Sequence, residues 1–159
     1  MEQKTLARWL KIILAGIALC GLAVYGGILP LLGQEAIGLY PEFSHLFWPW
    51  MIFLLLSGLP CFAVLYFGLG IVRNIEADRS FSEENASLFR KISYLAAGDS
   101  AYFFLGNFIF LLLDANHPAV ALASLIVVVF GVAIAVAAAA LSHLVHKAAV
   151  LQKENDLTI

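Results

Sequence analysis

One carboxylate, Asp99, stands inside the apolar run ISYLAAGDSAYFFLGNFIFLLL (92–113), eight residues beyond Lys91. On a helix that separation is about 12 Å, at ~1.5 Å per residue. An ionisable group so deep in hydrocarbon is costly unless it is paired, protonated or hydrated, which makes it a functional candidate by default. Ser100 and Asn107 project within about 100° of it on a helix, with Gly106 nearby. Together they form a polar stripe expected to face the interior of a helix assembly. Such a stripe suits proton, ion or small-ligand handling. The structural alternative is a neutral aspartic acid hydrogen-bonded between helices.

Other side chains with metal or redox chemistry are scattered. Cys20 and Cys61 lie at similar depth inside apolar runs, where a thiol pair or a soft-metal site can be imagined. They also fit stripes of small residues that let helices approach: Gly16, Cys20, Ala23 and Gly27 in one run, Ser57, Cys61 and Gly68 in another. His143 and His146 share a helical face but lack further ligands. His45 and Glu42 in one short loop, and His117 and Asp114 in another, have the right donors for zinc without its tight spacing. No metal site and no cofactor are therefore expected. Walker loop, HExxH, nucleophile elbow and dinucleotide fingerprint are all absent, so an enzyme is not expected either. The basic residues are not clustered in the manner of a nucleic-acid surface.

The elements that must position these residues follow from composition. Of 159 residues, 62% are hydrophobic and 13% charged, and the mean hydropathy is +0.93. A soluble domain has about 45–50% apolar and about 25% charged residues, so the solvent of this chain is expected to be lipid. Four apolar runs, at 10–32, 47–71, 92–113 and 118–145, are each long enough to cross a bilayer core of about 30 Å. The first exceeds the ~7–15 apolar residues of a cleaved signal, and is read as a retained span. In the second, Trp48 and Trp50 suit an interfacial aromatic belt, Pro49 a first helical turn, and Pro60 a kink. The loop 33–45 reads as a turn with a short amphipathic segment on the membrane.

All nine Lys and Arg fall in the head, in the loop 73–91 or its border, and in the tail 146–159. The other two loops carry only Glu35, Glu42 and Asp114 among charged residues. The positive-inside rule then places both termini and the central loop in the cytoplasm, consistent with an even number of spans.

The central segment RNIEADRSFSEENASLFRKI (73–92) holds eight of the twenty charged residues, with signs balanced. Ser82 is expected to cap a helix with Glu83 and Glu84 in its positive first turn, and Phe81 to staple onto the following turn. Phe81, Ser82, Glu83, Glu84 and Asn85 together form a candidate docking site for a cytoplasmic protein; a solvated hinge is the plainer reading. SFSEENASLFRKI after a second span, together with the ending ENDLTI (154–159), resembles the DUF2975 family of small bacterial membrane proteins. That resemblance covers essentially the whole chain. It implies no known enzymatic activity and, because members are often encoded beside a small Cro-type helix-turn-helix regulator, a link to transcriptional control. Ser82, Asn85 and the 154–159 tail are the matching positions.

The expected molecule is a single all-α membrane domain, an antiparallel four-helix bundle with both ends cytoplasmic, in the cytoplasmic (inner) membrane. Its expected role is that of a regulatory or sensory partner of a cytoplasmic protein. The alternative is a small transporter or channel using Asp99. Its partners would be the lipid bilayer, a cytoplasmic regulator and, through the small-residue stripes, copies of itself.

Overall fold

The computed structural model describes residues 3–156, and these are almost wholly helical. Four helices are long and apolar enough to cross a membrane: α1 (Gln3–Leu39), α2 (Phe47–Glu76), α3 (Glu83–Leu112) and α4 (Pro118–Asp156). The Leu-Thr-Ile ending at 157–159, part of the family-like tail, lies outside the described residues.

Proline shapes the first helix. Pro30 has no N–H for the carbonyl of residue 26, and its ring crowds that carbonyl. The chain widens into a π-turn over Val24–Ile28, where the Leu29 N–H reaches back to the Val24 carbonyl. α1 then continues through 33–39, so the expected turn there is helix. Tyr40, held at φ −133° and ψ 74°, ends it. The physical cause is Pro41, which disfavours helical backbone in the residue before it. A 3₁₀ turn, Pro41–Leu46, leads into α2.

The other two turns are Schellman closures. Arg79 N–H bonds Asn74 O (2.8 Å) and Asp78 N–H bonds Ile75 O (3.1 Å), with Asp78 at φ 59°. After α3 the pattern repeats: Ala115 N–H to Phe110 O (2.8 Å), Asp114 N–H to Leu111 O (3.3 Å), and Asp114 at φ 53°. Both place aspartate where glycine is usual. Pro118 opens α4, where its missing donor costs nothing.

Among the described residues, helix backbones approach one another only between sequence neighbours, α1 with α2, α2 with α3, and α3 with α4. The four-helix array is therefore a serpentine layer, and the α3–α4 pair is its most extensive contact. α4 contributes Ser124, Gly131, Ala135, Ala138, Ser142 and Val145, one step of seven followed by alternating fours and threes along one seam. That heptad spacing keeps a seam facing its partner, and its small residues let the backbones close. A Cβ on Gly131 would come 2.2 Å from Ser100 Oγ. Where α2, α3 and α4 converge, Ile71, Ile92 and Ala138 form a core flanked by Phe67 and Phe89. Outward-facing Leu19, Leu122 and Phe130 are about two-thirds exposed (67%, 70% and 67%), as befits helices whose solvent is hydrocarbon.

Candidate functional site

Asp99 sits near the middle of α3 on the face toward α2. Cys61, near the middle of α2, directs its thiol at Asp99 Oδ2 from 3.9 Å, a long and weak S–H donation. The second oxygen, Asp99 Oδ1, is buried and has no hydrogen-bond partner. Among the described residues Asp99 makes no ion pair. Tyr25, in the π-turn of α1, brings its phenol to the Ser57 hydroxyl and the Cys61 thiol. Its ring packs on Gly58, where a Cβ would lie 3.0 Å from the ring carbon Cε1. Three helices thus converge on one carboxylate, beside two local irregularities, the π-turn and Pro60 within α2. Tyr25 and Ser57 were not among the residues singled out for chemistry. The signal was the phenol five residues before Pro30, where the widened turn redirects it.

The expected stripe of Asp99, Ser100 and Asn107 divides between two interfaces. α3 lies between α2 and α4, so residues about 100° apart meet different neighbours. Ser100 faces α4 against Gly131 and donates to its own-helix carbonyl Ala96 O (2.7 Å). Asn107, buried, donates to Phe103 O (2.9 Å), while Asn116 Nδ2 donates to Asn107 Oδ1 (3.2 Å). Both are satisfied locally. Gly106 serves a close approach: a Cβ there would meet the Phe53 ring at 2.1 Å. Trp50 donates to Ala115 O (2.8 Å) in the loop after α3 and stacks on Phe110 at 4.7 Å, whereas Trp48 is 67% exposed.

At the charged end, Gln3–Asp78, Lys11–Glu76 and His146–Glu83 contacts bring the start of α1, the α2–α3 turn and the end of α4 together. Ser82 caps α3, accepting from Asn85 N–H at 3.2 Å, with Glu83 and Glu84 in the first turn. Asn85 is 1% exposed. Its Nδ2 donates to Ser80 O (3.0 Å) and Arg79 O (3.3 Å), and its Oδ1 accepts from Asn74 Nδ2 (2.9 Å). Of the five candidate docking residues, Asn85 is therefore the interior pin of the turn, because every polar group it has is used inside. Phe81 remains 60% exposed, more open than a stapled ring. Glu83 pairs with His146 (2.8 Å) and Glu84 with Arg79 (3.9 Å), both at the surface. Ser142 Oγ reaches across to Ala86 O (2.7 Å), tying α4 to the same turn.

The remaining candidates stay apart. Among the described residues, no three His, Cys, Asp or Glu side chains gather where a metal could sit. His45 Nδ1 lies 3.0 Å from Glu42 O, and His117 Nδ1 accepts from Ala119 N–H at 3.2 Å, each a local turn contact. His143 lies on the α3–α4 crevice beside His146. Cys20 and Cys61 are both free thiols.

Comparison with known proteins agrees with this architecture. The chain is 24% identical over 160 residues to the uncharacterized membrane protein YoaS of Bacillus subtilis (strain 168), covering 99% of each chain. No solved structure matches it. The family model described as a protein of unknown function (DUF2975) matches residues 31–159. By that match, which includes the capped turn at Ser82 and Asn85, the four-span chain belongs to the DUF2975 family.

Proposed function

We propose that this membrane protein is a sensory or regulatory element whose responsive group is Asp99. The observation that carries the reading is the unpartnered Asp99 Oδ1 at a three-helix junction within the spans. Other polar groups within the spans, Ser57, Ser100, Asn107 and Ser124, bond carbonyls one turn back on their own helices. A buried oxygen left over requires an explanation, and a carboxyl in such a place takes up a proton or a small polar ligand and changes its contact with Cys61. The π-turn and Pro60 give α1 and α2 places to yield when it does.

In this reading the basic end faces the cytoplasm, and a cytoplasmic protein, a helix-turn-helix regulator in the family's pattern, reads the exposed part of the turn at Phe81, Glu83 and Glu84. A photocrosslinker at Phe81 should capture such a protein, and Asp99→Asn should change that capture with the helical fold kept. Capture that is empty, or indifferent to Asp99→Asn, removes the regulatory reading. The alternative, transport through the same carboxyl, predicts a flux in proteoliposomes that Asp99→Asn abolishes.

A further inference from the structure

On the side of α3 turned away from Asp99, a crevice runs along its contact with α4. Its deeper part, about 420 Å³, is an apolar groove lined by Ala97, Ala101, Phe104, Val128, Val132 and Val136. Toward the charged end it opens into a polar recess of about 250 Å³ lined by Arg90, Tyr94, His143 and His146. Ser93 and Ala139 line both, so groove and recess adjoin along the helix pair. From Arg90 to Phe104 it follows α3 for about 21 Å, longer than the ~15 Å half-thickness of a bilayer core.

The chemistry of the two parts is complementary to a single amphiphile. Among the described residues, Arg90, Tyr94, Ser93 and His143 have no hydrogen-bond or ion-pair partner within the chain. His146 holds Glu83 Oε2 at 2.8 Å, and Glu83 is the carboxylate at this rim. Ser142 is already committed to Ala86 O. An unpaired guanidinium at the headgroup level presents the planar fork that fits phosphate, with a phenol and an imidazole as further donors. Basic recesses between membrane helices are suited to lipid head groups.

We propose that this crevice binds one anionic phospholipid, its phosphate on Arg90, Tyr94 and His143 and one acyl chain along the Ala97–Phe104 and Val128–Val136 walls. The site is independent of Asp99 and stands whether or not the sensory reading does. The small residues of both helices acquire a second role here, since Ala97, Ala101 and Ala139 leave the room that a chain of methylenes occupies.

Native mass spectrometry of the full chain in mild detergent tests this, using phosphatidylglycerol and phosphatidylethanolamine of matched chains. Wild type should retain one phosphatidylglycerol about fivefold better than phosphatidylethanolamine, and Arg90→Ala with His143→Ala should remove that preference. Ala139→Phe, which blocks the junction of recess and groove while leaving every cation in place, should lower phosphatidylglycerol retention by a similar factor. Equal retention of the two lipids by wild type would mean annular lipid only and overturn the site. So would unchanged retention in Ala139→Phe, or displacement of the lipid by millimolar inorganic phosphate alone, which would assign the recess to a soluble anion. If the double variant does not fold, judged by circular dichroism and gel filtration, the wild-type lipid preference and Ala139→Phe decide the matter.

Discussion

Asn85 and Asp99 are both polar side chains in tight places, and the difference between them is satisfaction. Asn85 uses its amide and carbonyl fully, joining Asn74 at the end of α2 to the carbonyls of Arg79 and Ser80. Asn85→Ala would strand two carbonyls and the Asn74 amide, so it should cost about 2–3 kcal/mol. Thermal unfolding in detergent measures that loss, and amide exchange should rise first across 74–86. Asp99 is the opposite case, with an oxygen left over inside the array. Replacing it by asparagine removes the ionisable group while keeping shape, so stability should change little and any response carried by the site should vanish. An infrared carboxyl band that titrates in wild type and is missing in Asp99→Asn would identify the group directly.

Helix ends and seams obey rules that act over several residues. The α3–α4 seam depends on Gly131 lying against Ser100. Gly131→Ala forces a Cβ into that hydroxyl and should destabilise the pair by about 1–3 kcal/mol. Ser100→Ala removes the obstructing oxygen and should recover part of the loss, so a double-mutant cycle should show coupling of about 1 kcal/mol. At the two Schellman turns aspartate occupies left-handed backbone. Asp114→Gly should therefore raise the unfolding midpoint slightly, by about 0.5–1 kcal/mol in stability. Asp78→Gly should gain less, because it also gives up the bond from Gln3 Nε2.

Taken as a molecule, the chain is a serpentine whose charge is sorted by end. The ion pairs between α1 and α2 and between α3 and α4 put the basic residues on one end, and Glu35, Glu42 and Asp114 belong to the other. Single cysteines in place of Glu84 and Glu42 should therefore label from opposite sides of a sealed membrane. A reporter fused after Ile159 should share the side of Glu84, and the positive-inside rule predicts that it reads cytoplasmic. Labelling of both positions from one side would contradict the four-span array.

Span number, the capped start at Ser82, the loop at 114–117 and the excess of apolar surface were legible in linear order. Each depends on local chemistry: run length against bilayer thickness, a hydroxyl before a helix, apolar surface with no water to fear. The continuation of α1 to Leu39 was less legible, because a polar stretch such as GQEAIG carries no period that separates helix from turn, and only Tyr40 before Pro41 marks its end. Which neighbour a side chain meets could not be read at all. Ser100 and Asp99 adjoin in sequence and share one helix, yet one packs on Gly131 and the other on Cys61, because α3 has a helix on either side. The same packing buried Asn85 beneath its own turn and left Arg90 open on the α3–α4 crevice. Types and periods fix what a helix can present; the order in which helices lie beside one another fixes what each presented group finds.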